Sequence, residues 1–328
     1  INAALSKVRP DLLIHIPQAL LLLLKISELR RIPRRISLGK IATYSNDPNS
    51  VGSNHLEEVS EEHTALITFT TGSSNNPKGF DRTHGFLQAQ HEAHEHYFGH
   101  AASDIDLCMF PIFVLSNLGS GMTSVIADVD LRDIGGVNPS DIVAQIEQQQ
   151  ITSLTCSPAL VKPLARYCLE HKITLPTLKK FFTGGAPVDP LLFEELAQVF
   201  VSASMLLVYG STEAEPIAVV DSKDVVKRTK EMTFKGMGVA LGRVVDRLDY
   251  HLIPPFDGPL NTLSPVDPGE VGEIILSGKF VGTRYFQDPE AFRQNKIVDA
   301  NGVIWHRTGD LAIERDEKIL YMQGRMHS

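Results

Sequence analysis

The sequence predicts an α/β fold in which helices cover parallel strands, followed by a smaller antiparallel or barrel-like β region. Strand-like and helix-like segments alternate with short connections from residue 106 to residue 209, and this alternation is typical of parallel pairing. After about Lys235, short β-like runs are separated by frequent glycine, proline and aspartate, which favours an antiparallel or barrel-like subdomain. A chain of 328 residues is long enough to bury a large core and to form two subdomains.

Local patterns place the individual elements. Residues 45–63 are polar and rich in turn formers, which predicts a surface connection, and a helical stretch is expected from Thr83. The expected strands are 65–69, 107–110, 125–129, 151–155, 180–183, 206–209, 247–253, 273–277 and 318–322. The other expected helices are 141–149, with Ser140 as its N-cap, 159–170 and 189–200.

Residues 12–26, which include five consecutive leucines, raise the question of a membrane segment. His15, Pro17 and Lys25 leave this stretch too short and too polar to span a bilayer, so no membrane span is expected. A buried helix is the main expectation. The alternative is a surface helix that touches lipid together with the arginines that follow it.

The amino-acid composition limits the classes of function that are expected for this chain. Hydrophobic residues make up 43% of the chain and charged residues 21%, as in an ordinary globular α/β protein. The formal net charge of −8 argues against nucleic-acid binding, which needs a basic face. The three cysteines lack metal-binding or disulfide spacing, so a reducing compartment, the cytoplasm, is expected. A signal-peptide pattern is not visible, and a chain that starts at Ile1 and stops after Gly324-Arg325 is expected to be an excerpt of a longer protein.

The clearest chemical motif is TTGSSNNPKG at residues 70–79, directly after a predicted strand. Glycines allow close backbone approach to a ligand, hydroxyl and amide groups can solvate phosphate oxygens, and Lys78 supplies positive charge. The motif is not a Walker A loop, because Lys78 precedes Gly79, whereas the Walker A lysine follows its second glycine. Taken alone, such a loop is more often a plain surface turn.

Four further blocks follow it, which are TGGAP at 183–187, YGSTEAEP at 209–216, WHRTGDL at 305–311 and GR at 324–325. In this order, the five blocks resemble the core motifs of the adenylate-forming superfamily of acyl-CoA synthetases, luciferases and peptide-synthetase adenylation domains. The resemblance covers nearly the whole chain. It implies the large N-terminal domain of that fold, with parallel sheets covered by helices and a small distorted β-barrel, incomplete at its N-terminus and without the C-terminal lid.

The resemblance also implies a domain layout. Residues 1–235 would form the α/β subdomains that bind ATP and the acyl group, residues 236–324 the smaller β-rich subdomain, and residues 325–328 the start of a hinge. That hinge would lead to the missing lid domain, which in the family carries a catalytic lysine.

The same resemblance implies a site for ATP and Mg²⁺. The 70–78 loop would hold the β- and γ-phosphates, Gly185 to Pro187 would line the adenine, Tyr209 would stack on it, and Asp310 would accept hydrogen bonds from the ribose. The implied nucleotide-binding residues are Thr70, Thr71, Gly72, Ser73, Ser74, Gly185, Ala186, Pro187, Tyr209, Gly210, Asp310 and Arg325. The implied catalytic residues are Lys78, Thr212, which would contact the α-phosphate, and Glu213, which would bind Mg²⁺. The alternatives are that Glu213 caps a helix and that Asp310 ends a turn.

Residues 110–126 and 209–216 are similar to a narrower branch, the synthetases of bacterial olefin biosynthesis that convert β-hydroxy fatty acids to β-lactones. Acyl-CoA ligases commonly carry a histidine where Val114 stands after Phe113, and this weakens the ordinary CoA-ligase assignment. The resemblance implies that His84, Phe113 and Val114 lie near the substrate. The implied activity is ATP-dependent, AMP-forming activation of a fatty acid, followed by lactone formation, with enzymes of the same pathway as possible partners. A fatty acyl-CoA ligase that also uses CoA, and a non-catalytic nucleotide-binding module, are the alternatives.

Some features depart from the family or lie outside its motifs. Ser74-Asn75 stands where a Thr-Gly pair is usual, and the segment at 242–246 lacks the expected prolines and second glycine. Altered nucleotide binding and a degenerate enzyme are therefore the alternatives to a standard site. His91, His94, His96 and His100 form a histidine cluster, and His96 and His100 are spaced to share a helix face, but nearby residues do not complete a closed metal site. A solvated polar helix is therefore expected there.

Overall fold

The computed structural model of the protein describes residues 1–38, 57–70, 77–130, 133–224, 229–260, 262–315 and 318–326. These residues form two compact units. The first comprises residues 1–84 with 284–292, and the second comprises residues 85–283 with 293–328.

The first unit holds two small sheets. One pairs β1 with β2 in parallel, and the other pairs β3 with β4 as an antiparallel ribbon. Its elements are α1 (Asn2–Val8), β1 (Leu12–His15), a 3₁₀ turn (Pro17–Leu21), α2 (Leu22–Lys25), α3 (Ser27–Arg31), β2 (Arg34–Ser37), β3 (Thr64–Thr70) and β4 (Lys78–Thr83).

The helix expected over residues 12–26 is wrong in both of its forms. The segment divides into β1, the 3₁₀ turn and the short α2, with Pro17 at the division. Proline disfavours helical geometry in the residue before it and lacks the N–H that a helix interior needs. Ile14 and Leu21 are 56% and 70% exposed, so the stretch is not a buried core element either. In the described part of the chain, no helix has the length and apolar character needed to cross a membrane.

The second unit is built on one 12-stranded mixed sheet covered by helices. Its strands are β5 (Ile105–Cys108), β6 (Thr123–Ile126), β7 (Ser153–Cys156), β8 (Lys180–Gly184), β9 (Ser204–Ser211), β10 (Ala214–Asp221), β11 (Val239–Val244), β12 (Asp249–Ile253), β13 (Val271–Ser277), β14 (Lys296–Val298), β15 (Ile304–Arg315) and β16 (Ile319–Arg325). The other helices among the described residues are α4 (His84–Phe98), α5 (Pro111–Gly119), α6 (Pro139–Gln148), α7 (Pro158–His171), α8 (Pro190–Val199), α9 (Ser222–Asp224), α10 (Lys230–Met232) and α11 (Pro289–Asn295), with a 3₁₀ turn at Ile134–Gly136 and a π-helical turn at Thr233–Met237.

The strand order explains how the two predicted halves are joined. Strands β6, β5, β7, β8 and β9 are parallel, and from β9 the ladder continues through antiparallel pairs to β12. The junction is the hairpin of β9 and β10, so the antiparallel strands extend the parallel sheet instead of standing apart. The sequence predicts both types of pairing but not this continuity. The domain boundary at residue 235 stays a prediction.

The core of the second unit lies between its parallel strands and α6, α7 and α8. Ile146, Leu154, Leu164, Phe181 and Leu196 are completely buried there. Burial of each such side chain stabilises the fold by about 1.5–3 kcal/mol. Because the buried faces must be apolar, the spacing of apolar residues in the sequence predicts these strands and helices well.

The N-cap of α6 differs from the expectation. Asn138, not Ser140, occupies the cap, and its side-chain oxygen accepts a hydrogen bond from the Ser140 backbone N–H. Pro139 takes the first helical position, where its missing N–H costs nothing because that N–H has no helical acceptor. The helix therefore begins one residue before Ser140.

Candidate nucleotide site at the carboxyl edge of the sheet

The carboxyl ends of the parallel strands meet at one edge of the sheet. Cys156 of β7 pairs with Thr183 of β8, and Gly184 of β8 pairs with Val208 of β9, so the segments that follow β8 and β9 leave the sheet side by side. In open α/β sheets, ligands bind outside this edge. The segment at 185–187 is exposed, and Tyr209 directly follows Val208, the last parallel-paired residue of β9, so two of the sequence motifs meet there.

Glycine is required where β8 approaches β9. A Cβ atom on Gly184 would lie 2.1 Å from the Val208 carbonyl oxygen, which no side chain can tolerate. Gly185 follows with φ of 78°, in the left-handed region that favours glycine. The TGGAP motif therefore turns sharply away from the sheet and leaves Ala186 and Pro187 at the surface.

A buried carboxylate lies at the centre of the site. The Tyr209 hydroxyl donates to Asp310 Oδ2 at 2.7 Å, and Arg325 Nε lies 2.7 Å from Asp310 Oδ1. Asp310 and Arg325 are cross-strand neighbours in β15 and β16. Three separate motifs of the sequence, around residues 209, 310 and 325, therefore meet in one cluster of side chains.

The electrostatics of this cluster favour polar ligands. Burial raises the pKa of Asp310, whereas the Tyr209 hydroxyl and the Arg325 guanidinium lower it. Burial, followed by the Asp310 charge, raises the pKa of Tyr209 well above its usual range, so its hydroxyl stays protonated and donates. An ionised carboxylate offers about four acceptor sites, so Asp310 can accept two more hydroxyl donors beside these partners.

A buried ion pair fixes the strand that carries Asp310. Arg307 donates to Glu273 Oε2 through Nε at 3.0 Å and Nη2 at 2.6 Å, and also to the carbonyls of Phe256 and Gly258. The other carboxylate oxygen of Glu273 accepts the Gly309 backbone N–H at 3.1 Å. This network connects β13 to β15 immediately before Asp310, so it holds the Asp310 backbone in place.

Thr212 and Glu213 form the turn between β9 and β10. The Glu213 carbonyl accepts the Gly282 N–H at 2.7 Å, and its carboxylate Oε2 lies 4.0 Å from His306 Nε2. His306 Nδ1 lies 3.3 Å from the Asn295 carbonyl, which can only accept, so Nδ1 carries the proton. Glu213 therefore lies on a turn between two strands, and the alternative that it caps a helix is wrong.

Lys296 lies beside this turn and is almost completely buried, with 2% exposure. Its amine donates to the Gly282 carbonyl. Burial lowers the pKa of Lys296 to about 7, and the Glu213 charge partly opposes this shift. Lysine is rarely buried in this way without a specific reason.

The donor set fits Mg²⁺ held together with a phosphate ligand. Among the described residues, no group of three or more His, Cys, Asp or Glu side chains is placed to hold a metal ion. Mg²⁺ commonly takes one or two carboxylates and completes its shell with phosphate oxygens and water. The Glu213 carboxylate, 17% exposed, is the right type of ligand for that arrangement.

The first unit contains the phosphate-loop residues that the structure describes. Thr70 and Lys78 are cross-strand partners at the end of the ribbon of β3 and β4. Burial raises the pKa of Asp288, but the Ala291 N–H, the Lys7 amine and, as the smallest contribution, the Lys78 charge lower it by more in sum, so the net shift is downward. The predicted residues Thr71, Gly72, Ser73 and Ser74 lie outside the described residues, as does the part of the predicted surface connection before residue 57. The His84 N–H donates to the His63 carbonyl at 3.0 Å.

The predicted substrate residues Phe113 and Val114 lie on α5 in the second unit. The Phe113 ring packs near His94 and Phe98, with centroids 5.2 and 6.4 Å away.

The histidine-rich helix α4 differs from the expectation. His94 is buried, with Nδ1 3.0 Å from Ser116 Oγ, so the prediction of a purely solvated helix is wrong. Helix α4 ends at Phe98, so His96 and His100 do not share a helix face.

Sequence reasoning missed several residues of the site. Arg307 and His306 lie inside the WHRTGDL motif at 305–311, and this position is the only sequence signal for them. Glu273 and Lys296 have no local signal, because each reaches the site through strand pairing with β15.

The chain is similar to known proteins in sequence and in fold. A family model described as AMP-binding enzyme matches residues 2–286. Olefin beta-lactone synthetases of Stenotrophomonas maltophilia and Xanthomonas campestris are each 30% identical, over 99% and 87% of this chain. The chain spans only 61% and 52% of the lengths of these two relatives.

A solved structure shows the fold. The N-terminal domain of FACL13 from Mycobacterium tuberculosis superposes with a TM-score of 0.76 at 19% identity, covering 98% of this chain and 76% of that one. The predicted fold, the large N-terminal domain of adenylate-forming enzymes, is therefore confirmed. Together, the family model, the relatives and the fold show that this chain belongs to the family of AMP-binding enzymes.

Proposed function

We propose that the chain binds ATP with Mg²⁺ and activates a carboxylic acid by joining it to AMP as an acyl-adenylate. The observation that carries this proposal is the buried Asp310 carboxylate between Tyr209 and Arg325, at the carboxyl edge of a parallel sheet. A carboxylate with spare acceptor sites suits the two hydroxyls of a ribose. Because the chain spans 61% and 52% of the lengths of these two relatives, the activity of the whole protein is part of the proposal.

Each residue has a role that suits its chemistry. Asp310 accepts the ribose hydroxyls, Tyr209 stacks on the adenine beside Gly185, Ala186 and Pro187, and Thr212 donates to the α-phosphate. Glu213 holds Mg²⁺, which supplies charge neutralisation when bound, and Lys78 neutralises phosphate charge together with Thr70 and the hydroxyls and amides of the 71–74 segment.

The activation step needs no general base. A substrate carboxylate is already ionised at neutral pH, so its oxygen can attack the α-phosphorus while pyrophosphate leaves. The protein contributes alignment of the two groups and neutralisation of the phosphate charge. This explains why the described site combines hydrogen-bond donors with carboxylates instead of presenting a nucleophile.

A β-hydroxy fatty acid is the substrate that we favour, and Phe113 and Val114 contact its acyl chain. In the second step, the substrate hydroxyl oxygen attacks the activated carbonyl carbon and a four-membered ring closes. The bond from that carbon to the AMP oxygen breaks, and the hydroxyl proton passes to solvent. An intramolecular hydroxyl held near the carbonyl can outrun an external thiol through effective molarity. The similarity to olefin beta-lactone synthetases supports this product.

The product decides between the candidate functions. We expect mass spectrometry of the full-length protein with ATP, Mg²⁺ and a 3-hydroxy fatty acid, with and without CoA, to show the acid minus one water, formed without CoA. A thioester that requires CoA, as the only product, would identify a fatty acyl-CoA ligase. Absence of pyrophosphate release with every acyl chain length would contradict enzymatic activation and favour a nucleotide-binding module.

A further inference from the structure

Lys296 forms a chain of contacts to the residue proposed to hold Mg²⁺. Its buried amine donates to the Gly282 carbonyl, and the Gly282 N–H donates to the Glu213 carbonyl at 2.7 Å. The next residue, Ala214, is bridged to Val281, so the Glu213 turn is attached to the 281–282 segment by two consecutive backbone contacts. Lys296 is also the cross-strand partner of His306, whose ring faces the Glu213 carboxylate at 4.0 Å.

We propose that Lys296 is a positioning residue, which fixes Gly282 and through it the Glu213 turn for metal-nucleotide binding. The inference rests on the proposed function, because it takes Glu213 as the metal ligand. The lysine acts as a hydrogen-bond donor to a carbonyl. It can therefore do so whether its amine is charged or neutral.

Stability does not explain a lysine at this position. A desolvated amine costs folding free energy, and apolar side chains of similar volume often replace buried charges without loss of stability. Lys296 is 2% exposed, so its amine carries this desolvation cost. An apolar replacement would lose the hydrogen bond to the Gly282 carbonyl. We therefore expect the replacement to weaken metal binding while the free energy of unfolding changes little.

The test separates metal-dependent from metal-independent binding. Mn²⁺·ATP binding is followed by the loss of the free Mn²⁺ signal in electron paramagnetic resonance, and AMP binding in EDTA by calorimetry. In Lys296→Met, we expect about 10-fold weaker Mn²⁺·ATP binding, the scale for losing a group that orients a metal ligand. AMP affinity and the thermal unfolding midpoint should stay close to those of the parent protein. Should Lys296→Met fold poorly, Lys296→Gln, whose shorter amide reaches Gly282 less well, provides the same comparison.

Lys180 offers a matched control. It also donates to a backbone carbonyl, that of Gly99, and it pairs with Asp104 at 2.6 Å, but it lies at the amino end of β8, away from the site edge. Lys180→Met should lower the unfolding midpoint and leave Mn²⁺·ATP affinity unchanged. The inference is overturned if Lys296→Met binds Mn²⁺·ATP like the parent protein, or if it loses AMP affinity equally. A parent protein that binds neither ligand would instead refute the proposed function.

Discussion

Asp310→Ala is expected to weaken AMP binding and acyl-adenylate formation by at least ~100-fold, about 3 kcal/mol, the scale of one key electrostatic contact in an active site. The variant removes the acceptor of the proposed ribose hydroxyls and also the partner of the Tyr209 hydroxyl and of Arg325. Calorimetry with AMP and a pyrophosphate-release assay measure the two losses. Circular dichroism should remain that of the folded protein.

The same strand provides a control for the loss of a tyrosine–carboxylate hydrogen bond. The Tyr250 hydroxyl donates to Glu314 Oε2 at 2.5 Å, and Glu314 lies on β15, as Asp310 does. Glu314→Ala should therefore leave AMP affinity close to that of the parent protein. Equal AMP affinity in the Asp310 and Glu314 variants would mean that Asp310 is not part of a nucleotide site.

Arg307→Met is expected to lower the free energy of unfolding by about 3–5 kcal/mol, because it leaves the Glu273 carboxylate buried without its partner. It also removes the donors to the Phe256 and Gly258 carbonyls. Urea denaturation followed by circular dichroism measures the loss.

An exposed ion pair of the same unit gives the comparison. Arg247 and Glu92 lie 3.5 Å apart with about half of each side chain in solvent, so Arg247→Met should cost less than about 1 kcal/mol. If both arginine variants lose the same stability, the Arg307–Glu273 network does not hold β15 in the way described.

Much of the α/β region could be predicted because its signals are local. The strands expected at 151–155 and 180–183 match β7 and β8 within a few residues, since their apolar runs are bounded by clear turns and helices. The helix predicted over residues 12–26 is wrong because hydrophobicity alone does not distinguish a continuous helix from a segment that is divided into short elements. Pro17 interrupts the helix here.

The site was predicted in part, for a related reason. Tyr209, Asp310 and Arg325 each lie in a short motif, and the sheet brings these motifs together. Glu273 lies 34 residues before Arg307, and the sequence contains nothing that pairs them. The sequence also contains no signal for the contact between Lys296 and Gly282, because this contact depends on how β14 packs beside the Glu213 turn.

The most direct measurement of the central claim uses a fatty acid labelled with ¹⁸O in both carboxylate oxygens. If the carboxylate attacks the α-phosphorus of ATP, one labelled oxygen stays with the phosphate when the acyl–oxygen bond later breaks. Mass spectrometry should then find AMP that carries one ¹⁸O atom, whether the acyl product is a lactone, a thioester or the free acid. The amount of labelled AMP formed per unit time should fall by at least ~100-fold when Glu213→Ala or Asp310→Ala replaces the parent protein. Release of unlabelled AMP, or of ADP, by the parent protein would contradict activation through an acyl-adenylate.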